Sequence, residues 1–454
     1  MTAEIGSGLE TAERVLAIVR DRAGTTAAEA EVNVVGGDRS LTRFATSFIH
    51  QNVSEEVSHV LLRVALDGRV ASSSLDGPTD EETLGRLVDN VIAAARVAPA
   101  DPSWPGLTRP AAVADPGHWD DATAAAVADD RAGRVRAFVD AAEGLETAGY
   151  CSTTAVRTAF ANSAGHSATG RSTEAALDGI ARTPTADSSG RAMSVRLGDV
   201  DGEAAGRHAA DRARAASDPV DLAPGRYEVV LAPSAVADIL GFLAIYGFNG
   251  KAVEEGRSFV RIGDAQFDPA FSLRDDVADA GMVGLGFDVE GTPRRRVDLV
   301  VDGVSRAILH TRRTARAAGH GAQSTGHAVE GGATWGALGG KFVVPAGDRD
   351  HDALIGGVER GIYVLDFWYT RILDPRTQVV SGLTRNGVWL IKDGKVGRAL
   401  TNMRFTQSYA EALGPGAVRG VGSERELHPV SFGTDGLVPG LHLASWNFTG
   451  GAKG

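Results

Sequence analysis

A single cysteine, Cys151, stands in 454 residues, which excludes an intrachain disulfide and fits a reducing compartment. Long apolar runs are missing too. No stretch of about 18 apolar residues occurs, so no membrane-spanning helix is expected. The opening segment MTAEIGSGLETAERV lacks both a basic start and an apolar core, the marks of a secretory leader, so a cytoplasmic location is expected. Long runs of basic residues are also absent. With a net charge of −12 there is no phosphate-tracking surface, and direct nucleic-acid binding is disfavoured. Lysine is scarce beside abundant Ala, Gly, Arg and Asp, which reads as the coding bias of a high-GC genome.

What is present is globular: 43% hydrophobic and 23% charged residues, in a chain too long for one ordinary core, so two domains are expected. A first helix carries Leu9, Val15, Ile18 and Val19 on one face. The alternating segments AEVNVVGG, LTRFATSFIHQN, HVLLRVAL and RVASSSL follow, the last two joined at Asp67-Gly68, a two-residue hairpin signal. A second helix keeps Leu84, Leu87, Val88, Val91 and Ile92 at helical spacing. The stretch APADPSWPGLTRPAAVADPG carries five prolines and reads as a surface connection. A further helix is expected over 120–144, strands over about 147–200, and a short helix in EAAGRHAADRARAAS. DPVDLAPGRYEVVLAP marks a boundary near residue 220, giving domains 1–220 and 221–454. Beyond it lie two more hairpins, at Asp302-Gly303 and Asp393-Gly394, and GIYVLDFWY as a buried strand. No internal repeat is visible. The expected class is α+β: an N-terminal α/β domain of antiparallel strands with flanking helices, then a β-rich C-terminal domain.

Chemistry-bearing residues form no self-sufficient catalytic set. The eleven histidines are scattered, with no i, i+4 pair to hold zinc on one helix face. His320 and His327 flank GHGAQSTGH, a glycine-rich loop that either approaches a ligand or is plain surface. Cys151, on an alternating Thr/Ser strand with nothing nearby to lower its pKa, reads as a small buried apolar group rather than a nucleophile. There is no G-x-S-x-G elbow and no Walker loop. GLGFDVEGT lacks the spacing of a dinucleotide site. Its Asp288 and Glu290 alternate along an expected strand, as a solvated turn carboxylate and a structural hydrogen-bonding group or, less simply, a metal pair. Arg371 meets either a substrate carboxylate or Asp374. Trp368 and Trp389 are expected in core or interface.

Several phrases together resemble the TldD/PmbA family, also called the modulator-of-gyrase family: LTRFATSFIHQNVSEE, YEVVLAPSAVADIL with GRSF after it, GLGFDVEGTPRRRVDLVVDGV, STGHA, and LDPRTQVVSGLTRNGVWLIKDGKVGRAL. They span most of the chain in the family's order. The resemblance implies a bacterial peptide-processing protein. TldD-like members are zinc peptidases with H-E-x-x-x-H on the helix after the YEVVLAP strand and a cysteine late in the chain. Two imidazoles hold the metal and the glutamate activates its water. TldE/PmbA-like members lack that set and pair with a TldD-like subunit. With Ser258 as the anchor, Gly241 and Phe242 stand where the first histidine and the glutamate would be, and Tyr246 where the second histidine would be. Glycine and phenylalanine have no donor atom, and a phenol stays protonated at neutral pH. Cys151 lies in the wrong half to replace the late ligand.

The resemblance therefore implies a non-catalytic TldE/PmbA-like subunit, with no metal or cofactor of its own. Zinc belongs to a TldD-like partner in a heterodimer that cleaves unfolded peptides or peptide precursors, this chain shaping the chamber over that zinc. Tyr246, His320, His327 and Arg371 are the expected substrate or partner contacts, and Tyr246 is otherwise a core aromatic with a satisfied hydroxyl. Two alternatives stay open. One is an active metal-dependent peptidase or amidase that uses His320 and His327 with Asp288 or Glu290. The other is a homodimeric peptide-binding scaffold.

Overall fold

Alternation of apolar and polar residues builds the first half of the chain. In the computed structural model, which describes residues 5–24, 28–430 and 434–451, α1 (Ile5–Arg22) precedes β1 (Glu29–Ala45), β2 (Phe48–Leu66), β3 (Arg69–Asp76) and α2 (Glu81–Val97). After a long connection come α3 (Asp121–Ala124), α4 (Ala128–Ala141), β4 (Glu146–Asn162), β5 (Ser167–Arg182), β6 (Asp187–Ser194) and α5 (Gly202–Ala215). The six strands form one antiparallel sheet in the order β3-β2-β1-β4-β5-β6. That order is symmetric about the β1–β4 pair, each side being a three-strand meander bracketed by helices. The topology is thus duplicated although no repeat is legible in the sequence. Residues 1–4, part of the segment read against a secretory leader, lie outside the described residues. No helix among the described residues is long and apolar enough to cross a membrane.

Period two decides which face of the sheet each residue serves. Along β1, Ala30, Val32 and Val34 are buried beneath α1 and α2, against Leu84, Leu87, Val88, Val91 and Ile92. At the other end of the sheet Phe44, Cys151 and Leu177 are buried beneath α4 and α5, around Phe138. Glu31 and Asn33 turn to the opposite face, where Glu31 reaches Arg312 in the second half of the chain. Helices therefore cover one face of the sheet and the second half covers the other.

Two expectations on the first half need correction. AEVNVVGG and LTRFATSFIHQN are not separate strands. β1 runs unbroken through Gly36-Gly37 and turns at Thr46-Ser47, both in the left-handed region (φ 47° and 64°). The helix expected over 120–144 is split. Asp120 caps α3 by accepting from the Thr123 N–H (2.7 Å), while the Asp130 carboxylate accepts from the Val127 N–H (2.9 Å) and starts α4 afresh.

The second half contains β7 (Gly225–Leu231), α6 (Pro233–Phe242), α7 (Gly250–Glu254), β8 (Leu273–Asp275), β9 (Val297–Val301), β10 (Val304–Ser305), α8 (Arg312–Ala318), α9 (Gly332–Trp335), β11 (Lys341–Val343) and α10 (His351–Gly356). It ends with β12 (Arg360–Asp374), β13 (Val379–Lys392), β14 (Lys395–Ala399), β15 (Met403–Ser408), α11 (Tyr409–Ala412), β16 (Val418–Val430) and β17 (Thr434–Gly451). The three Asp-Gly pairs turn as expected, each with positive φ at both residues. β7 pairs with β12 on one side and β17 on the other, so β17-β15-β13-β12-β7 closes into a ring. Aromatic side chains fill this core: Trp446 stacks on Phe367 at 4.9 Å and meets Phe405 at 5.3 Å and Tyr409 at 5.7 Å. GIYVLDFWY is buried only as far as Phe367, and Trp368 is half exposed. Trp389 is core, stacked on Tyr363 at 5.4 Å.

The proline-rich connection does not run free over the surface. Thr108 is buried and donates to the Glu290 carbonyl (2.7 Å), and the Asn162 amide donates to the Thr108 carbonyl (2.8 Å). Missing backbone donors at the prolines suit a segment held by side chains instead of a ladder.

Candidate functional site

Pro233 at the first turn starts α6 with a preset φ, and almost every following residue is buried. Apart from Ser234 and Asp238 the helix is apolar all round, because it lies inside the second half, against Tyr409, Phe405 and the ring strands. Its last turn does not simply stop. Leu243–Gly247 forms a π-turn, closed by the Phe248 N–H donating to the Leu243 carbonyl at 2.8 Å. Such turns insert one extra residue and recur at functional sites. Gly241 and Tyr246 stand five positions apart, which an α-helix would place on different faces at about 100° per residue. The inserted residue rotates Tyr246 back toward the side of Gly241. Ser258 fixes the exit from this turn by donating to the Gly247 carbonyl (2.6 Å).

At these positions the side chains pack. Gly241 and Phe242 are buried, and Phe242 meets Tyr409 edge-on at 5.9 Å. Tyr246 is half-buried, with the Arg257 guanidinium 5.6 Å over its ring. It is thus a rim aromatic, and its hydroxyl has no hydrogen-bond partner among the described residues. Gly241 and Phe242 supply no donor and Tyr246 only a phenol, so this helix does not fit zinc.

One turn before Gly241, Asp238 accepts from the Thr370 hydroxyl (2.9 Å) and the Tyr409 hydroxyl (3.0 Å). Burial pushes its carboxyl up to about 6 against the pull of those two hydrogen bonds. Burial and the neighbouring Asp238 also drive the Tyr409 phenol upward. Sequence reading passed over this cluster. The one available signal was an acid inside an apolar helical run, since Thr370 comes from β12 and Tyr409 from α11, both distant in the chain.

The GLGFDVEGT segment is a turn, not the expected strand. The Gly291 N–H donates to the Asp288 carbonyl (2.9 Å), and the Asp288 carboxylate accepts from the N–H groups of Glu290, Thr292 and Ala328 (2.9, 2.9 and 2.8 Å). Gly291 has φ 69°, and a Cβ there would sit 2.3 Å from the Phe160 ring of β4, so glycine is required. The expected solvated turn carboxylate is not found, since both acids are buried, whereas a structural hydrogen-bonding role is seen in Glu290, which accepts from Arg63 and Arg312. Burial, with Glu290 adding to it, raises Asp288 to about 7. Glu290 is held below the usual range because Arg312 and Arg63 outweigh burial. These charges form a lattice across the two halves. Arg63 bonds Glu31 (2.6 Å) and Glu290 (3.0 Å), and Arg312 bonds Glu290 (3.1 Å) and Glu31 (2.5 Å).

His327 is fully buried, 2.9 Å from Asp275 and 2.9 Å from the Thr325 hydroxyl. Burial alone would raise Asp275, but His327 beside it and Arg294 nearby hold it well below the usual carboxylate range. His320 lies on the exposed loop with φ 52°. Asp288, Glu290 and His327 are thus each committed to different partners, and the described residues contain no group of three His, Cys, Asp or Glu side chains able to hold a metal. Arg371 is exposed, donates to the Thr370 carbonyl (2.7 Å) and lies 4.5 Å over the Tyr369 ring. It does not bind Asp374, whose carboxylate instead accepts from the Arg376 N–H (3.0 Å) and the Thr377 hydroxyl (2.6 Å). Burial pushes the Cys151 thiol up to about 12, despite Arg131 and Arg134, so the thiolate a nucleophile needs is suppressed.

Comparison with curated proteins finds no match. Solved structures of similar fold include TldE from Thermococcus kodakarensis (TM-score 0.85, 17% identity, covering 96% of this chain and 99% of that one). Candidate modulators of DNA gyrase are similar as well. The one from Thermotoga maritima MSB8 has a TM-score of 0.83 at 14% identity, covering 96% of this chain and 100% of that one. The one from Bacteroides thetaiotaomicron VPI-5482 has 0.81 at 19%, covering 97% and 98%. At such identities the likeness is one of fold. The family model described as PmbA/TldA metallopeptidase C-terminal domain matches residues 224–450, half of the chain, from the start of β7 through α6 to the end of β17. The chain belongs to the PmbA/TldD family of metallopeptidase-like proteins.

Proposed function

We propose that this chain is a non-catalytic, TldE/PmbA-like subunit of a heterodimeric zinc peptidase that acts on unfolded peptides. The observation that carries this reading is the packing of Gly241, Phe242 and Tyr246 on α6 and its π-turn. Tyr246 at the rim, with the exposed His320 and Arg371, is available for a peptide or a partner. His327 is not, because Asp275 holds it inside the fold. Zinc belongs, in this reading, to an H-E-x-x-x-H partner of the same family. This chain contributes walls to the chamber and exposed backbone for an extended peptide to pair with, which grips unfolded segments with little side-chain preference.

The test is co-expression with an H-E-x-x-x-H family member. A stable one-to-one complex that cleaves an unfolded peptide is expected, while the isolated chain shows no stoichiometric zinc by metal analysis and no hydrolysis. Chelator-sensitive cleavage by the isolated chain, or a homodimer that ignores every such partner, would overturn the proposal.

A further inference from the structure

The sheet face left open by the helices meets the second half of the chain across a cleft of about 370 Å³, within the range of roughly 300–1,000 Å³ that small-ligand sites occupy. Asn33 of β1, Thr158 of β4, and Ser172 and Glu174 of β5 form one wall. The opposite wall carries Leu285, Phe287 and Arg294. Gly241, Phe242 and Tyr246 are not among its lining residues.

Several polar groups here have no partner. The Thr158 hydroxyl is buried and unpaired, in a residue only 4% exposed. Nε and Nη1 of Arg294 are likewise buried without a hydrogen-bond acceptor, although the guanidinium charge acts on the nearby Asp275 and Asp288. Glu174 forms neither a hydrogen bond nor an ion pair with any described residue. Burial raises its carboxyl and Asp435 adds to this, while Lys341 and Arg39 oppose it from a distance. The other charges around the cleft are engaged: Lys341 pairs with Asp435, Glu330 with His59, and Asp288 with three backbone N–H groups. An unpaired buried donor costs about 1–3 kcal/mol. Here the unpaired groups are a cation on one wall and, on the other, an acid with the Thr158 hydroxyl beside it on the sheet.

We propose that this cleft binds a short zwitterionic peptide, its carboxylate on Arg294 and its ammonium on Glu174. A guanidinium presents planar, directed donors that match a carboxylate. The Thr158 and Ser172 hydroxyls serve the peptide amides, and Leu285 and Phe287 cover its side chains. The assignment does not depend on a partner subunit or on zinc.

Calorimetric titration of the full chain tests it, with trialanine, its N-acetyl form, its C-terminal amide and the doubly blocked form as probes, and free alanine as the amino-acid arm. Trialanine should bind, and blocking either end should weaken binding about tenfold or more. In R294Q, amidation should no longer matter while acetylation still does; in E174Q the pattern should reverse. Blocking the peptide tests the native protein, so the result does not hang on either variant folding. Equal affinity for all four trialanine forms, alanine binding as tightly as trialanine, or no binding at all would each overturn the proposal.

Discussion

Asp238 is the one acid in PSAVADILGF, and its surroundings set a measurable pH dependence. Its folded pKa of about 6 lies above the ordinary 3.8, so the unfolded chain loses this proton first and ionisation favours unfolding. The group's contribution is therefore most favourable below about pH 4, declines through pH 4–6 and is constant above. D238N keeps an acceptor for one hydroxyl and removes the buried charge. It should be more stable than the native chain by ~2 kcal/mol at pH 8 and no more stable at pH 4, as read by urea unfolding at both pH values. An unchanged gap between the two would show that Asp238 is not held out of water as described. At this scale the sequence was partly legible. An acid amid apolar neighbours could be noticed, but the hydroxyls that cradle it could not.

At the scale of elements, the Thr46-Ser47 turn is the sharpest departure from expectation. Asp-Gly pairs advertise three of the other hairpins because both residues adopt positive φ easily. Thr46 does not: a β-branched residue at φ 47° is held there by the pairing of β1 with β2. Ser47 has a second duty, since its hydroxyl accepts from the Thr147 N–H at 3.0 Å. T46N should thus raise stability by ~1 kcal/mol, seen as a higher midpoint in urea, whereas T46V should give no gain. A fall in midpoint for T46N would mean that the threonine side chain matters more than its backbone strain. The π-turn after α6 was similarly hidden. Its residues, Leu243–Gly247, are ordinary helix formers apart from the glycine, and the extra residue is accommodated by the packing of Leu243 and Phe248 in the core.

Across the whole molecule, the Glu31–Arg63–Glu290–Arg312 lattice ties the helix-backed sheet to the second half. The Arg312 side chain is 9% exposed and Glu31 and Glu290 less so, so removing one member strands the others. R312M should cost about 3 kcal/mol of unfolding free energy, measured by denaturant titration. A loss below about 1 kcal/mol would show that water or Arg63 alone satisfies both acids. The proline-rich connection belongs to the same joint, because Thr108 bonds the Glu290 carbonyl and Trp104 lies 5.5 Å under Arg312.

Local pattern determined much of this protein. Alternation drew the first sheet, helical spacing drew α1 and α2, three Asp-Gly pairs placed hairpins, and ordered phrases marked the family. Those signals need only neighbours in sequence. The turn conformation of GLGFDVEGT, the burial of His327 against Asp275, and the joint between the halves were decided by residues far apart in the chain. Glu31 and Arg312, 281 positions apart, are one example. A buried charge is tolerable only with its partner in place, and that partner is chosen by how the two halves close, which no local spacing encodes.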